Sequence, residues 1–152
     1  MRNTTTLAAL ALGACVGPWP GDAGSDVIVV ADAVQQDTVW TADTTYVLDD
    51  VIFVDAGATL TIEPGTTVQG REGSALVVTR TGFLDARGRE GAPIVFTSDL
   101  PTGERFRGAW GGLALLGNAP VNADEVLEGL DEDDPRGSYG GNDPTDGCGL
   151  LE

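Results

Sequence analysis

The chain has 152 residues, 24 acidic side chains against 8 basic ones, no histidine and a formal net charge of −16. All the basic residues are arginine. They are too few for the basic face that phosphate contacts need, which excludes nucleic acid as a partner and an anionic membrane surface as an electrostatic one. Without histidine there is no Ser-His-Asp or Cys-His pair and no histidine-bound zinc, so catalysis would have to rest on carboxylates, arginine, tyrosine or a bound cation. The 22 glycines, with no collagen period, suit an all-β chain with many tight corners.

The opening "MRNTTTLAALALGAC" has a charged start at Arg2, an apolar run from Leu7 to Leu12 and small residues before Cys15. The run is too short to span a bilayer and reads as an export signal over residues 1–14. Leu12-Gly13-Ala14-Cys15 resembles the lipobox of bacterial lipoproteins. That resemblance implies that cleavage leaves Cys15 as an acylated N-terminus, anchored in a bacterial envelope at the outer membrane or cell surface with no spanning segment. The alternative is an ordinary secretory signal with an incidental cysteine. Residues 15–37, with "VGPWPGDAGSD" near their start, are expected to form a flexible tether with room for a first strand. If Cys15 carries lipid, Cys148 has no partner in the chain, which asks for a partner chain, a free thiol or further sequence.

From Thr38 the chain reads as β-structure, rich in Val, Ile and Thr and broken every few residues by glycine or proline. In "ATLTIE" the alternation places Leu60 and Ile62 on one face and Thr59, Thr61 and Glu63 on the other. The pattern then recurs: Val54 and Val78, Leu60 and Leu84, and Ile62 and Ala86 are each 24 positions apart, while Gly57 and Gly82 are 25 apart. Further strands are expected in "GAPIVFTSD" and "GAWGGLALLGNAP". A β pattern at this period signals a solenoid in which the chain turns about three times per coil and strands one coil apart stack in parallel. Leu60, Ile62, Leu84, Val95, Leu113 and Leu115 are expected inside. Gly57, Gly65, Gly82 and Gly91 are expected to supply corner conformations, with Pro64 and Pro93 at corners or strand starts.

The segments "WTADTTYVLDDVIFVDAGATLTIEPGTTVQG", "GAPIVFTSD", "GAWGGLALLGNAPVN" and "YGGNDPTDGCGLLE" resemble exported bacterial surface proteins of the right-handed parallel β-helix type, a poorly characterised group. The resemblance implies an all-β solenoid over residues 38–152. It also implies that the chain holds the first few turns of a longer coil and is truncated at "GLLE"; the alternative is a short protein capped by a partner chain.

Several groups can carry chemistry. Asp131, Asp133 and Asp134, with Asp143 and Asp146, form an oxygen-rich cluster that could hold calcium, although neither an EF-hand nor a nonapeptide spacing is present; otherwise it is a solvated loop. Arg80, Arg87 and Arg89 lie near Asp85 and Glu90, a mixture that β-helical polysaccharide lyases use, or else a surface ion-pair group. Trp110 and Tyr139, set among glycines, are candidates for stacking on sugar rings, against packing at a coil corner. The expected function is therefore a lipid-anchored, non-catalytic binding or structural module that contacts extended glycans or cell-wall material. The alternatives are a polysaccharide lyase or hydrolase completed by turns absent from this chain, and a calcium-stabilised adhesin.

Overall fold

The computed structural model describes residues 26–122, 125–131 and 133–152; Cys15 and the stretch read as an export signal lie outside the described residues. The first coil turn comprises β1 (Asp26–Val30), a single bridging residue, Val34, and β2 (Thr38–Trp40). It thus begins within the stretch read as tether. The second turn is β3 (Thr44–Leu48), β4 (Val51–Val54) and β5 (Thr59–Ile62), and the third is β6 (Thr67–Gly70), β7 (Ala75–Val78) and β8 (Phe83–Ala86). The fourth contains β9 (Val95–Ser98) and β10 (Leu113–Leu115). It then departs through β11 (Glu125–Val126), a 3-10 turn at Pro135–Gly137 and β12 (Ser138–Tyr139), and closes with β13 (Gly149–Leu151).

Strands one turn apart pair in parallel. Sheet one runs β1-β3-β6-β9, sheet two β4-β7-β10 and sheet three β2-β5-β8-β13, while β11 and β12 form a small antiparallel ribbon. The chain is a right-handed parallel β-helix, the hand taken by crossovers between parallel strands. The pairs anticipated at 24 residues stand in register: Val54 on Val78, Leu60 on Leu84 and Ile62 on Ala86.

Inward side chains stack into columns that fill the coil. Leu48, Ile52, Val54, Leu60, Val68, Leu76, Val78 and Leu84 are fully buried in one cluster, each contributing about 1.5–3 kcal/mol by leaving water. At the lower end of this cluster Trp40 and Tyr46 stack with ring centroids 4.6 Å apart. Their polar handle is also used, since the Thr41 amide donates to the Tyr46 hydroxyl at 3.0 Å. Strands of sheet three alternate buried and half-buried residues. Those of sheet two do not, because "VIFV" and "ALVV" are covered on both faces: Phe53, Val77 and Leu116 form an outer cluster with Leu127, Leu130 and Tyr139 from the fourth-turn excursion.

Two expectations need correction. Val95 is 41% exposed rather than interior, because it stands in register with outward Thr67; Ile94 and Phe96 pack on the core instead. Leu113 and Leu115 are half-buried and do pack on it. Gly57, Gly65 and Gly91 take φ of 79°, 96° and 81°, whereas Gly82 is not among the left-handed positions. Its requirement is space: a Cβ there would lie 2.1 Å from the Val54 carbonyl oxygen of the turn below.

Truncating the column and its outer face should separate cleanly. Leu84→Ala is expected to cost about 2–5 kcal/mol, and Val95→Ala to stay within about 0.5 kcal/mol, read from urea unfolding midpoints.

Candidate binding surfaces at the coil corners

Because residues one turn apart are stacked, the corners carry columns of charge. Asp49, Arg71 and Asp99 follow the registered residues Leu48, Gly70 and Ser98 at the first corner. Arg71 is paired with Asp49, and its Nε lies 3.8 Å from Asp99. At the third corner Glu63, Arg87 and Glu152 follow Ile62, Ala86 and Leu151 in the same way. An arginine thus separates two acids at both corners, so like charges do not meet at the strand spacing.

The second corner holds a cavity of about 180 Å³ lined by Asp55, Thr79, Arg80, Thr81, Pro135 and Arg136. The hydroxyls of Thr79 and Thr81 donate to Asp55 Oδ1 at 3.1 and 2.9 Å. Ala56 beside it adopts a left-handed φ of 57°, a conformation that costs an alanine about 1–2 kcal/mol. Arg136 comes from the excursion. Its guanidinium lies 3.9 Å over the Phe53 ring and binds Asp134 through Nε and Nη2, the latter at 2.6 Å. Arg80 Nη1 donates to the Gly140 carbonyl at 3.1 Å.

A larger groove of about 400 Å³ opens at the third corner, lined in part by Thr61, Glu63, Asp85, Arg87, Arg89 and Glu152. Arg87 grips Asp85 with both edges, Nε to Oδ1 at 2.7 Å and Nη2 to Oδ2 at 2.6 Å. The structure therefore brings Asp85, Arg87 and Arg89 together, as the sequence suggested, and places Arg80 in a different corner.

The displaced carboxylates are held below their usual range. Burial alone would push Asp55 up, but the Ala56 amide, the Thr81 and Thr79 hydroxyls and the Arg136 charge together win. Hydrogen bonds from Thr41 and Thr44 lower Asp43, those from Arg87 lower Asp85, those from Arg136 lower Asp134, and those from Thr145 lower Asp143. In return Asp85 raises Arg87, and Asp134 raises Arg136. These groups are fixed charges rather than proton carriers near neutral pH.

Four of the five aspartates considered for calcium have their carboxylates engaged locally, while Asp133 contributes only its backbone amide. Asp131 accepts from the Asp133 amide at 3.0 Å, Asp134 holds Arg136, Asp143 accepts from Thr145 Oγ1 at 2.7 Å, and Asp146 accepts from the Asn118 amide at 2.6 Å. Among the described residues no group of three or more Asp, Glu or Cys side chains converges as a metal site. The two aromatics considered for sugar contact lie in hydrophobic clusters. Trp110 packs on the main core with its ring so close to Gly70 that a Cβ there would lie 2.3 Å from Cε3, and Tyr139 belongs to the outer cluster. Among the described residues the aromatic side chain exposed to solvent is instead Phe106. The reading of the sequence missed it because no periodicity marks it; its only signal is an apolar ring between two arginines in "ERFRG". Cys148 has a free thiol and is half-buried next to β13.

The family model described as a pectate-lyase-like β-helix domain matches residues 32–152, and the chain belongs to that family. Comparison with curated proteins returned no significant match, and neither did comparison with solved structures.

Asp55 has a depressed folded-state pKa, so its contribution to stability is complete above the unfolded value of about 3.9 and is lost as pH falls through the folded value. Asp55→Asn should therefore melt lower than the parent at neutral pH, with the gap closing below about pH 4, as read by melting temperature against pH.

Proposed function

We propose that this chain is a non-catalytic binding module, held at a bacterial cell surface through a lipid on Cys15, whose sheet faces contact extended glycans or cell-wall material. The observation that carries this reading is the outer face of sheet one. Its outward rows are Val27, Thr45, Thr67 and Val95, beside Val29, Gln69, Thr97 and Val47, the last of which is itself buried. None of these side chains is charged, in a chain of net charge −16. A flat array of methyls and hydroxyls repeating at about 4.8 Å complements a polymer that alternates C–H faces and hydroxyls. The locked carboxylates support the lack of catalysis, since none of the displaced ones is poised to give up a proton at neutral pH.

A lyase is the second reading, favoured by the third-corner groove. There the Arg89 guanidinium has no ion pair or hydrogen bond among the described residues and faces the same space as Glu63 and the Asp85–Arg87 pair. A cation there can neutralise a sugar carboxylate while a basic group beside it takes the neighbouring proton. The fold hosts both roles and does not decide between them.

The protein is expected to co-sediment with insoluble glycans and to release no unsaturated or reducing-end products from acidic polysaccharides. Product release that disappears in Arg89→Ala would establish the lyase instead. For the anchor, the native protein should partition into detergent with the mass of a chain starting at Cys15 plus acyl groups, and Cys15→Ser should leave it in the aqueous phase.

A further inference from the structure

The loop between β9 and β10 folds back over the first corner and leaves Phe106 in solvent, at 66% exposure. Arg105 Nε donates to the Leu100 carbonyl at 2.9 Å, the Ala109 amide donates to the Phe106 carbonyl at 3.2 Å, and Trp110 is wedged on Gly70. The loop is therefore tied at both ends, and the position of the ring is a feature of the fold. An exposed phenyl ring forfeits about 1.5–3 kcal/mol of burial, which a ligand stacked on it would restore.

With Asp49, Arg71, Glu72, Asp99 and Leu100, Phe106 lines a cleft of about 370 Å³, within the range of small-ligand sites. Three carboxylates and one guanidinium line it, a charge of −2 for the lining side chains (three negative, one positive), while Arg105 and Arg107 flank Phe106 along the chain. Arg71 is drawn towards Asp49 and Asp99. The Glu72 carboxylate has no ion pair or hydrogen bond to another described side chain. An acidic sugar would be repelled by this set, and a neutral one would leave its charge unmatched. A protonated amine on a ring with an apolar C–H face satisfies both halves. The ring face lies on Phe106, and the ammonium donates charge-assisted hydrogen bonds to the carboxylates and makes a cation–π contact.

We propose that this first-corner cleft binds an amino sugar with a free amine, as in a deacetylated glucosamine polymer. The proposal rests on the reading of the chain as a glycan-binding module and names the glycan. The overall charge of −16 would draw such a polycation from a distance and speed its capture.

The test is calorimetric titration of the folded chain with glucosamine oligomer, N-acetylglucosamine oligomer and spermidine. The glucosamine oligomer should bind most tightly and weaken with added salt. Phe106→Ala and Glu72→Gln should each weaken it about tenfold, the scale of one lost contact of this kind. Both positions are on the surface, so an unchanged melting temperature shows that the fold is intact. Equal binding of the two oligomers, no effect of Phe106→Ala, or spermidine matching the oligomer would each overturn the amino-sugar site while leaving the glycan-binding reading standing. Binding of no glycan, soluble or insoluble, would remove both.

Discussion

In-register parallel stacking is the constraint on which the rest of this structure depends. Each side chain lies about 4.8 Å from its counterpart one turn away, so every column must tolerate its own neighbours. Apolar columns do so readily: Ile52, Leu76 and Leu113 succeed one another without a polar atom. Charged columns do not. In a chain with three acids for every base, the scarce arginines Arg71 and Arg87 occupy the third turn between acids of the second and fourth. These positions offset the repulsion that stacked carboxylates would impose. They also leave these two arginines paired with carboxylates.

The fourth turn breaks the regularity and so creates asymmetry among the three faces. Its long excursion lays Leu127, Leu130 and Tyr139 over Phe53 and Val77, making sheet two dry on both sides. The same excursion delivers Arg136 to the ring of Phe53 and to the corner that holds Asp55. Its earlier loop, between β9 and β10, builds the Phe106 cleft from three turns at once. Clefts therefore form beside the long loops where the coil departs from its period, on a regularly stacked scaffold.

Much of the coil was readable because repeated chemistry marks repeated position. Leu60 and Leu84 could be matched by counting, and they stand in register. Val95 could not be placed that way. Ile94, Val95 and Phe96 are all apolar, so alternation has no phase there, and the third corner has lengthened the offset from Thr67 to 28 residues (95 − 67). Gly82 was recognised as necessary for the wrong reason, since its φ is ordinary and the obstacle is the carbonyl of Val54.

By itself the sequence determined short strands, glycine and proline corners, a period near 24 residues and a strongly acidic surface, because these depend on local conformational preference and composition. Only the tertiary structure decided which side of the all-apolar stretch 94–96 faces inward, which acid meets which arginine, and which of the described aromatic rings is left in solvent. Those outcomes depend on contacts between residues distant in the chain, brought into register although the corners differ in length from turn to turn. The cleft around Phe106 shows the difference: Asp49, Arg71 and Asp99 become neighbours only after three turns have been stacked.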